Sequence, residues 1–149
     1  MRLIDLISYT TLCEMAFDRK TAKDKVTDLS SQIFEHLLKL FVFNSPENSA
    51  HWITEINGWL WKIDDIKLKT TKQKPSPHDL HNWLILDSAP HYDAKWVTDT
   101  VGKLKRRQYK DISVREFDPT FVIDKMIQIM ARVCIDISNN SFDDIKDYL

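Results

Sequence analysis

The chain has 149 residues, 43% of them hydrophobic and 29% charged, with a formal net charge of −1. That length and apolar content suit one ordinary folded domain, exclude a disordered chain, and supply no global field toward nucleic acid or an anionic membrane. Only two glycines occur, Gly58 and Gly102, too few for the hairpin turns of a sheet protein or for a glycine-rich phosphate loop.

In chain order, Leu3, Leu6, Ile7, Tyr9, Cys13, Ala16 and Phe17 recur at helical spacing and predict a first helix over roughly residues 2–18. DRKTAKDK then reads as a charged linker or an exposed first turn. Val26, Leu29, Ile33, Leu37, Leu40 and Phe41 predict a second amphipathic helix ending near Phe43. NSPENS breaks it and offers Ser49 as the next N-cap. In AHWITEINGWLWKIDDIKL, Trp52, Ile56, Trp59, Ile63 and Ile66 form one stripe, while Trp61 falls off it and is expected to be exposed.

KTTKQKPSP is a basic linker, the one place where the chain has a soft division, at about 67–77. Ser76-Pro77 follows as an N-cap and first helical position, with Asp79 in the first turn of a short helix reaching about Leu86. After the turn DSAPHYD, a fifth helix starting near Asp93 carries Trp96, Val97, Val101 and Leu104 inward and ends in KLKRRQYK. Asp118-Pro119 begins a sixth helix, with Phe117 and Val122 placed for a hydrophobic staple. That helix is apolar on more than one face and is expected to be the most buried. SNNSFDD leads into a short terminal helix, with Ser141 and Asp144 as a capping box. The fold class expected is all-α, a single-domain bundle of six or seven helices.

Two cysteines far apart, Cys13 and Cys134, give neither a disulfide framework nor a zinc spacing and fit a reducing compartment. The opening residues lack the continuous apolar run of a secretion signal, and no run is long enough to span a bilayer, so a cytoplasmic protein is expected.

Three groups carry candidate chemistry. His78 and His81, three apart around Asp79, share a helix face and suit a metal ion. The His78-Asp79 pair resembles the His-Asp dyad of metal-dependent phosphohydrolases built on helical bundles. That resemblance implies a further His and a later Asp, roles open to His51 and to Asp124 or Asp136. The surroundings depart from it: a proline precedes the dyad and the apolar run follows it. Capping and helix-dipole chemistry explain the same residues without a metal. The second group is basic: Lys103, Lys105, Arg106, Arg107 and Lys110 beside Tyr109 would set phosphates and stack on a base. Lys67, Lys69, Lys72 and Lys74 are available to extend that surface. Positive charge at a helix C-terminus is also stabilising with no partner.

The third group is aromatic. Five tryptophans are present; Trp52, Trp59 and Trp96 are expected in the core. Trp61, Trp83 and Tyr92 are expected at a contact surface, with Asp64, Asp65, Asp143 and Asp144 complementing a basic target. No serine elbow, phosphate loop or acid/base pair is evident. The function expected is therefore non-enzymatic and cofactor-free: a regulatory, immunity-like or adaptor protein that binds another protein. Nucleic-acid binding through residues 103–110 is the alternative, and a homodimer is compatible with both.

Overall fold

The structure, a computed structural model, describes residues 16–88 and 91–149. Five α-helices occur among these residues: α1 Arg19–Val42, α2 Pro46–Lys69, α3 Pro77–His81, α4 Ala94–Arg107 and α5 Pro119–Ser138. The fold is all-α, with fewer helices than the six or seven expected. The helix placed over 2–18 lies almost wholly outside the described residues. Its last residues are not helical: Phe17 makes an isolated parallel bridge with Thr70, and Asp18 is the N-cap of α1. The expected terminal helix is a single 3-10 turn, Ile145–Tyr148, capped by Asp144, while Ser141 bonds back to Asp136 instead. No helix in the described residues is long and apolar enough to cross a membrane.

DRKTAKDK is the first two turns of α1 and not a linker, because the Asp18 carboxylate accepts from Thr21 N and starts the helix there. α2 likewise begins a turn earlier than expected, at Ser45-Pro46 and not after Ser49, since proline suits a first helical position. α1 and α2 form a hairpin. The residues that enter and leave it are zipped at one end by Phe17 N to Lys69 O, 2.9 Å, and Thr71 N to Phe17 O, 3.3 Å. At the other end Asn44 N donates to Ser113 O and Arg115 N to Val42 O, tying the connection to the segment after α4.

Against this hairpin lies α5, which also meets α3, α4 and the terminal turn. It buries Val122, Ile123, Met126, Ile129, Met130, Val133, Cys134 and Ile137. Buried side chains on both sides of segment 67–77 join one hydrophobic cluster. α5 ends in a Schellman motif: Asn140 adopts a positive φ of 58°, Asn140 N donates to Ile137 O and Ser141 N to Asp136 O. Lys67 reaches across from α2 to grip this turn. Its ammonium donates to Ile137 O and Asn140 Oδ1, both at 2.5 Å, and pairs with Asp64 at 3.0 Å. A buried lysine is thus satisfied by the negative end of a neighbouring helix.

Candidate interaction surfaces

The outer face of α2 carries Trp61. The inward stripe of α2 is Trp52, Ile56, Leu60, Ile63, Ile66 and Lys67, which leaves positions 61, 64, 65 and 68 on the outer side. Asn57, one turn before Trp61, fastens the C-terminal segment alongside: its Oδ1 accepts from Ile145 N at 2.8 Å and its Nδ2 donates to Asp144 at 2.9 Å. That bond, with a second from Lys146 N, holds the Asp144 carboxyl below its ordinary range. Phe142 then meets Trp61 edge-on, ring centres 5.5 Å apart, and stacks on Tyr148 behind it. Trp61 remains 46% exposed and Leu68, two turns along the same face, 58%. Asp64 and Asp65 stand between them, paired to Lys67 and Lys69, and Asp143 is exposed beside Phe142.

Trp83 and Tyr92 do not belong to this surface, which corrects the expectation that they are exposed. Both are buried. After His81 the chain widens into a π-wound turn, Asn82–Leu86, that puts Trp83, Leu84 and Ile85 all inward. Trp83 lies beneath the Arg19 guanidinium, 5.2 Å from the ring centre. Tyr92 stacks on Phe34 at 3.9 Å, nearly parallel, with Trp96 edge-on to both. Ser30 Oγ donates to Leu84 O at 2.5 Å, and with that proton spent the Tyr92 hydroxyl, 2.6 Å away, donates to Ser30. Burial pushes the Tyr92 phenol up.

The basic group divides. Lys103, Arg106, Arg107 and Lys110 are exposed at the end of α4. Lys105 is spent on the carbonyls of Lys110 and Ile112. Tyr109, expected to stack on a base, is instead enclosed by Phe43, Trp52 and the Lys39 ammonium. Its ring packs at the hairpin end and is not free to stack on a base; Trp96, not Tyr109, is the aromatic residue that shares a cleft with the exposed Lys103 and Arg107. Lys67 is withdrawn from that surface by burial.

The histidine group is assembled by capping. Ser76 Oγ accepts from Asp79 N, and Asp79 Oδ2 accepts from Ser76 N, a complete capping box. The other Asp79 oxygen takes Arg19 at 2.6 Å, and this contact, followed by the Ser76 bonds, lowers the carboxyl's pKa. His78 Nε2 meets the Asn82 amide at 3.1 Å. His51 is drawn to Glu55, and Asp136 accepts from the Tyr148 hydroxyl. Among the described residues no group of three His, Cys, Asp or Glu side chains is placed to hold a metal ion, and His78, Asp79, His51 and Asp136 are each engaged in separate contacts.

Two features escaped sequence reasoning. One is the His36–Glu55–His51 contact, in which His36 Nε2 meets one Glu55 oxygen at 2.8 Å and His51 the other. His51 and Glu55 stand four apart on α2, but His36 lies on α1 and no spacing announces that it meets them. The other is Phe142, whose position beside Trp61 depends on the fold bringing the C-terminus to α2. No family model matches the chain, and neither a curated protein nor a solved structure is significantly similar to it.

Proposed function

We propose that this is a non-enzymatic binding protein whose outer α2 face, with the C-terminal turn, receives a protein partner. The observation that carries the reading is Trp61: nearly half exposed, braced edge-on by Phe142, and continued by exposed Leu68. A large aromatic held in one orientation loses little conformational freedom on binding, as interface anchors require. Around it the acidic residues favour a partner whose apolar contact is rimmed by lysine or arginine. Asp143 is exposed, and the terminal SFDDIKDYL carries three aspartates against one lysine. The nucleic-acid alternative loses support with Tyr109 enclosed, and the hydrolase alternative with Asp79 spent on Arg19 and Ser76.

The test is co-purification from the native source under gentle conditions, run in parallel with Trp61→Ala plus Leu68→Ser and with Arg106→Ala plus Arg107→Ala. A stoichiometric protein that accompanies the wild type and the arginine variant but not the α2 variant supports the reading. A partner retained by the α2 variant, with helical circular dichroism intact, overturns it.

A further inference from the structure

Between α1 and α4 lies a cleft of about 410 Å³, a volume in the range of small-ligand sites. Along α4, Trp96, Thr100, Lys103 and Arg107 recur at helical spacing and line one wall, with Leu104 behind them. Across from them α1 presents Ser31 and, one turn on, Glu35. The cleft thus holds two cations on one wall and a carboxylate on the other. Among the described residues none of Lys103, Arg107 and Glu35 makes an ion pair, although opposite signs line the same space. The helix dipole accounts for Arg107 in the last turn of α4, but not for Lys103, which stands a turn earlier. It accounts for neither the facing carboxylate nor the aromatic wall.

We propose that this cleft is a binding site for a nucleoside monophosphate. Lys103 and Arg107, four residues apart and so adjacent on the helix, take the phosphate, arginine in a two-pronged contact. Glu35 accepts from the sugar hydroxyls or an exocyclic amine and turns away ligands that are purely anionic. Trp96 supplies the flat wall for the base. It is held for that purpose: Tyr92 abuts it edge-on at 4.9 Å and Phe34 at 6.5 Å, so the indole is braced from inside while part of it faces the cleft. Each of the three parts of such a ligand has its own side-chain partner in the cleft. Inorganic phosphate would engage one alone.

Isothermal titration at low ionic strength against the four common nucleoside 5′-monophosphates, their nucleosides and inorganic phosphate tests this. Trp96 indole resonances are followed in the same titrations. At least one monophosphate should bind tenfold or more tightly than both its nucleoside and phosphate, and should shift the Trp96 signal. Lys103→Gln with Arg107→Gln should weaken it at least tenfold with circular dichroism unchanged. Glu35→Gln should narrow the preference over phosphate. Silence at millimolar ligand, equal binding of inorganic phosphate, or affinity indifferent to the double variant would each overturn the proposal. So would tighter binding of single-stranded oligonucleotides that grows with length, which would make the surface a strand track.

Discussion

Tyr92 and Trp61 are both aromatic residues with a polar handle, and the fold treats them oppositely. Tyr92 follows a turn, yet it is buried because Ser30 on α1 offers its hydroxyl an internal partner and Phe34 offers its ring a parallel face. Trp61 sits mid-helix beside Leu60, a core residue, yet it is left outside because the inward stripe of α2 passes it by one position. Its neighbours on the outer side are Asp64, Asp65 and Leu68, and among the described residues Phe142 alone touches it as an aromatic. Aromatic content therefore says little about where a contact surface lies. What decides is whether the rest of the chain supplies a hydrogen-bond acceptor and a matching face.

The inner region should be far the more sensitive. Phe34, fully buried between Tyr92 and Trp96, anchors that cluster. Phe34→Ala should cost roughly 3–5 kcal/mol, measured by chemical denaturation, and should release Tyr92. A cost no larger than that of a surface substitution would mean that the stack is not a core. Lys67→Met comes next. It strips the Schellman turn of α5 of its clamp and leaves Asp64 unpaired, for a loss of roughly 1.5–3 kcal/mol. An unchanged midpoint would mean that water serves the turn equally well.

Those two residues also mark how far the sequence could be read. Phe34 was not singled out in the α1 stripe, but periodicity placed its neighbours Ile33 and Leu37 inward and the helix with them. Two caps were legible for a local reason: Ser76-Pro77 and Asp118-Pro119 bond to backbone within three residues, so short-range chemistry determines them. Lys67 was not legible, because a lysine at a helix end reads as solvent-exposed unless a carbonyl 70 residues away is known to be waiting for it. Trp83 and Tyr92 failed in the same way. Their burial depends on a π-wound turn and on Ser30, neither of which leaves a trace in local spacing. Of the outer surface, Trp61 and its aspartates could be read from helical phase alone; Phe142 and the cleft walls required two distant helices to meet.

Ser30→Ala sharpens the comparison from the polar side. It removes the partner of the Leu84 carbonyl and the Ser30 bond of the Tyr92 hydroxyl, and should cost roughly 1–3 kcal/mol. Tyr92→Phe in the same background should then cost less than Tyr92→Phe alone, since the two share one bond. Additive losses would show that the bond contributes little.

His36 gives a pH-dependent term on the α1–α2 seam. Burial, helped by Lys39, lowers its pKa from the ordinary value near 6.5, outweighing the pull of Glu55 and Glu35 and its bond to Gln32 O. In the unfolded chain it takes up a proton near the ordinary value, so the unfolded state binds more protons in the interval below it. Stability is therefore full above about pH 6.5 and falls as pH drops toward the folded-state value. Thermal unfolding from pH 7.5 to 5 should show this slope, and His36→Gln should flatten it. A variant whose slope matches the wild type would show that His36 does not carry the effect.

Trp61 should give the smallest stability effect and the largest functional one. Trp61→Ser removes the edge contact with Phe142 but no buried polar bond, because the terminal segment stays fastened by Asn57 to Ile145 N and Asp144. The loss should be roughly 0.5–1 kcal/mol, the scale of one aromatic pair, with the denaturation slope unchanged. Partner retention should fall by tenfold or more in the same protein. A residue that costs little to remove and much to lose in binding is an interface anchor. If Trp61→Ser instead destabilises as strongly as Phe34→Ala, the indole is holding the C-terminus in place, and the outer face of α2 is a second core seam.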